Sequence, residues 1–168
     1  MNNRAVVLHI QNWLEAYMDN SKKEISAFVV GVSGGIDSAL VSKLCALTGK
    51  KTIVTTLPIN SPDVSLSLLH CKQLVKNHPN VTHHEINLSH IYDNFKDSFT
   101  SFGFTSDLGL ANTKARMRML ALYQIAASSS GIVVGTGNKV EDFGVGFYTK
   151  YGDGGVDISP IADLTKSE

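Results

Sequence analysis

The sequence predicts an α/β protein built on a doubly wound parallel sheet, with helices on both faces. Two observations carry this. Short apolar runs of β type alternate with segments of helical periodicity along the chain. Three of those runs also end in loops rich in Gly, Pro, Asn or Ser, as strand-to-helix crossovers require.

The elements follow in order. Val6, Val7, Ile10, Leu14 and Tyr17 recur at helical spacing, so residues 3–19 read as an amphipathic helix, closed by Asp19-Asn20-Ser21. Trp13 falls on its apolar face, a core or interface position. A buried strand is expected at about 27–32 and a helix at about 37–48, carrying Ala39, Leu40, Leu44 and Leu47. Lys51 to Pro58 reads as a second strand stopped by its proline. Ser61-Pro62-Asp63 has the look of a helix start, with proline in the first turn and an acid favouring the dipole. Val81 to Leu88 alternates as a third strand, and helices are expected at about 89–101 and 110–129. Ile132 to Gly135 is a short buried strand. Ligands of such sheets bind beyond the strands' carboxyl ends, where the turn after residue 32, Pro58-Ile59-Asn60 and Gly135-Thr136-Gly137 converge.

A length of 168 residues suits a single domain over 1–168. Fifteen basic residues balance fifteen acidic ones, so net charge points to neither a nucleic acid nor a membrane surface, and any anion site is local. Cys45 and Cys71 form no C-x-x-C pair and fall in helical apolar patterns, which argues against zinc and for buried thiols in a reducing cytosol. No secretory leader and no apolar run of spanning length is evident, so the expected location is the cytoplasm. His83 and His84 are adjacent on a strand and point to opposite faces, so they cannot share a metal.

The chemistry begins at residues 33–38, Ser-Gly-Gly-Ile-Asp-Ser, directly after the first strand. Gly34 and Gly35 let backbone N–H groups approach an anion, and Ser33 and Ser38 supply hydroxyls. The following helix aims its positive end at the same point. Asp37 would repel phosphates unless a cation lay between, and Mg²⁺ suits such oxygen ligands. The G-x-x-x-x-G-K-[ST] lysine of a Walker loop is missing. Arg116 and Arg118 stand two apart on a helix and face different ways, so one can bind substrate while the other pairs structurally. Gly152, Gly154 and Gly155 around Asp153 read as an adaptable backbone suited to a loop closing over a ligand.

The hexapeptide resembles the SGGxDS signature of N-type ATP pyrophosphatases. Together with Gly135-Thr136, the block Phe147-Tyr148-Thr149-Lys150-Tyr151-Gly152-Asp153-Gly154-Gly155 and Asn112-Thr113-Lys114-Ala115-Arg116-Met117-Arg118-Met119, the chain resembles the ammonia-dependent NAD synthetases over nearly all its length. That resemblance implies amidation of deamido-NAD through an acyl-adenylate, with ATP, deamido-NAD and ammonia as partners, Mg²⁺ as cofactor, and AMP and pyrophosphate released. It implies ATP binding by Ser33, Gly34, Gly35, Asp37, Ser38, Thr136 and Lys166. It places Mg²⁺ on Asp37 and Glu141, with Asp142 the alternative because the stretch from Glu141 to Asp153 is slightly longer than the family pattern. Asp153 and Lys166 take catalytic roles, and Tyr17, Asn112, Arg116, Tyr123, Lys150, Asp153 and Asp157 are implied to bind deamido-NAD. A homodimer is implied, with the helix over 110–129 at the two-fold contact. Family members continue past the position of Lys166, so the chain is expected to lack their C-terminal portion. The rival readings are a nucleotide-binding fragment without turnover and another ATP-pyrophosphatase amidotransferase. The absence of a basic surface and of cysteine motifs argues against tRNA thiolation.

Overall fold

The computed structural model describes residues 2–61 and 63–167. Four parallel strands, β1 (Ala27–Gly31), β2 (Thr52–Thr56), β3 (Val81–Glu85) and β4 (Gly131–Val133), stand in the order β3-β2-β1-β4. Among the described residues α1 (Asn3–Asp19) precedes the sheet, and α2 (Ile36–Leu47), α3 (Ser65–Asn77), α4 (Ser89–Thr100) and α5 (Asp107–Ser128) connect its strands. The expected doubly wound α/β sheet is therefore the observed one.

Alternation along β1 builds the two faces. Phe28 and Val30 point into a core shared with Ile10, Leu14 and Met18 of α1 and with Val41, Leu44 and Cys45 of α2. Ala27 and Val29 point the other way, against Ala126, Leu122 and Tyr123 of α5. Side-chain period two on a strand dictates this split, and each fully buried Val or Phe contributes roughly 1.5–3 kcal/mol. A third cluster, Leu57, Ile59, Leu88 and Tyr92, seals the α4–α5 edge. The chain winds from β1 through β2 to β3, then returns across α4 and α5 to place β4 on the other side of β1. Winding reverses at β1, so the crevice between the ends of β1 and β4 is the switch point where such sheets bind ligands.

Several boundaries differ from the sequence expectation, each for a local reason. The third strand ends at Glu85 rather than Leu88. Leu88 N still donates to Pro58 O, but Pro58 has no N–H to donate in return, so the ladder beyond β2 is one-sided. Helix α3 starts at Ser65; Asp63 lies outside it and its Oδ1 accepts from Ser65 N at 2.8 Å, while Pro62 falls outside the described residues. Helix α5 starts earlier than expected, at Asp107, where the Ser106 hydroxyl accepts from Gly109 N. Trp13 is not core: it is exposed and stacks on Tyr17 at 5.8 Å between ring centroids. Both cysteines are free and buried, and burial pushes the Cys45 thiol up to about 12. Among the described residues no helix is long and apolar enough to cross a membrane.

Candidate functional site

The turn after β1 is braced from within. Ser38 is buried and its hydroxyl donates to Gly35 O at 3.0 Å while accepting from Ser33 N at 3.1 Å. Ser33 Oγ lies 3.1 Å from Ser38 Oγ and accepts from Gly35 N at 3.2 Å. The Ser38 hydroxyl thus shapes the loop, leaving the first-turn N–H groups of α2 to meet an anion. Gly34 alone needs glycine's freedom here, with φ at +94°; Gly35 is the α2 N-cap at an ordinary φ of −78°.

Two clefts meet at this turn. The larger, about 420 Å³, runs beyond the ends of β1, β2 and β4, between Leu57, Ser61, Ser67, Arg118, Leu122 and Val134. The smaller, about 140 Å³, is lined by Gly35, Asp37, Ser38, Gly137, Glu141 and Asp142. Ser33, Thr136 and Asp153 belong to both and form the boundary.

Carboxylates concentrate in the smaller cleft. Asp37 stands in the first turn of α2, and Glu141 and Asp142 in a single π-helical turn, Val140–Val145. That turn is capped by buried Asn138, whose Oδ1 accepts from Val140 N at 3.0 Å and Glu141 N at 3.1 Å. Lys166 reaches across: its ammonium donates to Glu141 Oε1 at 2.5 Å and lies 3.6 Å from Asp37 Oδ2. The Glu141 hydrogen bond and the charges of Asp37 and Glu141 raise the Lys166 pKa. Asp142 faces Gly137 and is not in an ion pair among the described residues. Burial, then Asp153 and Glu141, raise its carboxyl pKa above the usual range. Glu141, and not Asp142, shares the Lys166 ammonium with Asp37. Among the described residues no group of three or more His, Cys, Asp or Glu side chains is arranged to hold a metal ion by itself.

The remaining expected residues lie along α5 and the loop that packs on it. Asn112 Oδ1 accepts from Thr149 Oγ1 at 2.8 Å, and Arg116 Nε donates to Lys150 O at 3.2 Å. Asp153 Oδ1 accepts from Thr149 N at 2.5 Å. Tyr123 OH donates to Asp157 Oδ1 at 3.1 Å, and Asp157 Oδ2 accepts from Val133 N at 2.7 Å; burial and the Asp157 charge push the Tyr123 phenol up to about 12. The Lys150 ammonium lies 5.0 Å from the Tyr151 ring centroid. None of Asn112, Arg116, Tyr123, Lys150 and Asp157 lines either cleft, and Tyr17 stands apart on α1.

The loop glycines differ in kind from the expectation of an adaptable backbone. None of Gly152, Gly154 and Gly155 has a positive φ. A Cβ at Gly152 would lie 2.8 Å from Thr149 Cγ2 and 3.0 Å from Ala115 Cβ, and one at Gly154 2.6 Å from the Tyr148 ring. They are there because the loop is packed tightly. Residue spacing alone carries no signal for that packing, nor for the Asn138 cap.

A parallel sheet with a glycine turn at its switch point, faced by acidic side chains, defines an adenine nucleotide α-hydrolase-like, Rossmann-like domain. The NAD synthase family profile matches residues 6–168. The NH(3)-dependent NAD(+) synthetase of Carboxydothermus hydrogenoformans is 35% identical over 161 residues, covering 94% of this chain and 63% of that protein. That of Methanococcoides burtonii is 39% identical over 147 residues, covering 86% and 54%. Among solved structures, NMN synthetase from Francisella tularensis superposes with a TM-score of 0.89 at 34% identity, covering 99% of this chain and 67% of that one. The NH3-dependent NAD synthetase from Campylobacter jejuni gives 0.87 at 31%, covering 100% and 70%. The chain belongs to the NAD synthase family. It spans somewhat under two thirds of the length of the curated relatives it matches.

Proposed function

We propose that this protein amidates the nicotinate carboxylate of deamido-NAD at the expense of ATP, with free ammonia as nitrogen donor. The observation that carries this is one small cleft, in a chain of this family, that gathers the glycine turn, Asp37, Glu141 and Asp153, with Lys166 ion-paired to its two carboxylates Asp37 and Glu141.

The turn and the start of α2 would take the ATP phosphates, with Lys166 moving from the carboxylates onto them. Asp37 and Glu141 offer hard oxygen donors around a point where the Lys166 ammonium already sits, and this donor set fits Mg²⁺ completed by phosphate oxygens. Bound there, Mg²⁺ would neutralise the charge of the departing pyrophosphate. The nicotinate carboxylate oxygen attacks the α-phosphorus, the P–O bond to pyrophosphate breaks, and an acyl-adenylate forms. Ammonia then attacks the acyl carbon; the C–O bond to AMP breaks and one proton is lost. Asp153, on the boundary of the two clefts, is placed to accept that proton. Fixed groups and alignment supply the catalysis, as in other phosphoryl transfers.

A mononucleotide is the second reading of the acceptor, favoured by the likeness to the Francisella tularensis NMN synthetase. The exposed Phe95, Phe99, Phe102, Phe104, Leu108 and Leu120 on and between α4 and α5 fit a homodimer with α5 at the contact. A cytoplasmic location suits the two free thiols. The test is product formation from ATP, Mg²⁺ and ammonium with deamido-NAD or nicotinate mononucleotide, repeated with glutamine. NAD from ammonium alone supports the reading. Amidation of the mononucleotide only replaces the acceptor, and nucleotide binding with no amide product leaves the fragment reading.

A further inference from the structure

Arg118 is half-buried in the wall of the larger cleft, and its only bond among the described residues is from Nε to Leu57 O at 2.9 Å. Among the described residues no carboxylate pairs with it: the ion pairs there are Lys50–Asp19, Lys166–Asp37 and Lys166–Glu141. Asp63 shares the cleft wall, but its carboxylate is bonded to Ser65 N. Arg116, two residues earlier, faces away onto Lys150 O. A guanidinium has five N–H donors, so four remain on the two terminal nitrogens. Asn138 Nδ2 is the sealed, unpartnered side-chain donor among the described residues; the Arg118 nitrogens are not sealed, and Arg118 lines the cleft. Burial pulls the Arg118 pKa down, the sense expected for a charge held out of water without a countercharge. Leaving such a charge unpaired is costly unless a ligand supplies the partner.

The position says which partner. Gly31 is in register with Thr55 and Val32 N donates to Thr55 O at 2.8 Å, so Ser33 and Leu57 leave the ends of neighbouring strands into the same cleft. The carbonyl anchoring Arg118 is therefore beside the phosphate turn, on the side of the larger cleft. A planar fork of N–H groups matches phosphate oxygens two at a time. We propose that Arg118 is a nucleotide-binding residue whose terminal nitrogens hold the α-phosphate of the adenosine nucleotide, fixing the phosphorus at which the adenylate forms. This rests on the reading of the cleft as an ATP site.

The experiment is calorimetric titration of the full chain and of Arg118→Gln and Arg118→Lys with ATP, AMP and adenosine. Arg118→Gln should weaken AMP at least tenfold and leave adenosine within twofold; Arg118→Lys, which keeps the charge but not the fork, should fall between. Equal losses for AMP and adenosine would reduce Arg118 to a brace for Leu57 and overturn the proposal, as would no loss. Should Arg118→Gln not fold, phenylglyoxal labelling of the unmodified protein decides. Shielding of Arg118 by AMP and not by adenosine supports the assignment, and equal shielding removes it. An unmodified protein that binds none of the three ligands sinks the ATP reading itself, and this assignment with it.

Discussion

Replacing Asp37 by asparagine separates the charge of this side chain from its shape. The residue sits in the first turn of α2, where a carboxylate gains about 0.3–1 kcal/mol from the helix dipole. Its contact with Lys166 is 3.6 Å long and made to a half-exposed ammonium, so it adds little to the fold. Asp37→Asn should therefore cost at most about 1 kcal/mol, or roughly 2–4 °C in Tm for a domain of this size. Nucleotide binding should respond far more. Removing one of two paired carboxylates from a partly buried cation site costs on the order of 3 kcal/mol, which is over a hundredfold in affinity. The sign depends on the metal. With Mg²⁺ the wild type binds ATP much more tightly than Asp37→Asn; with chelator the order reverses or vanishes, because the variant no longer repels the phosphates. Titration calorimetry with ATP, in Mg²⁺ and in EDTA, reads both arms. Tight, Mg²⁺-enhanced binding by Asp37→Asn would refute the role given to this carboxylate.

Three further outcomes are expected. Glu141→Gln should reduce the Mg²⁺ enhancement of ATP binding at least tenfold and Asp142→Asn should leave it within threefold, since only Glu141 shares Lys166 with Asp37; the reverse pattern would return Asp142 to the metal. Gly34→Ala forces a side chain into φ +94°, a strain of about 1–2 kcal/mol, so its Tm should fall by about 2–8 °C, whereas Gly35→Ala should melt within about 2 °C of wild type. His70 accepts or donates across the α2–α3 contact to Ser42 Oγ at 2.9 Å, and burial, then Lys43, lower its pKa. A histidine with a lowered folded pKa supports the fold above about pH 6.5 and withdraws that support as pH falls. Thermal melts between pH 7.5 and 5.5 should show a smaller acid loss for His70→Gln than for wild type, and parallel curves would remove His70 from the pH response.

What the sequence shows and hides follows from the range of each interaction. Element type and order are legible because they rest on periodicity: Ile10, Leu14 and Met18 lie on one helix face, and Phe28 and Val30 on one strand face. The glycine turn after β1 is legible because its residues are contiguous from Ser33 to Ser38. The split between Arg116 and Arg118 was foreseeable from helix geometry, but which of them enters the cleft was not. That is decided by Leu57, whose carbonyl is freed where Pro58 stops the strand. The π-helical turn presenting Glu141 and Asp142 depends on the Asn138 cap and on Lys139 N donating to Leu164 O, a contact between distant parts of the chain. The tight seating of Gly152 against Ala115 is likewise a tertiary fact without a local signature.

That seating has a mechanical side. Thr149 is tied to Asn112, Lys150 to Arg116, Gly152 abuts Ala115 and Gly155 abuts Met119, so four contacts over two successive turns weld the loop to α5. Asp153 rides on that welded piece rather than on a free hinge. The place of Asp153 on the boundary between the two clefts is thus set by where α5 lies, through the Thr149 N–H that its carboxylate holds.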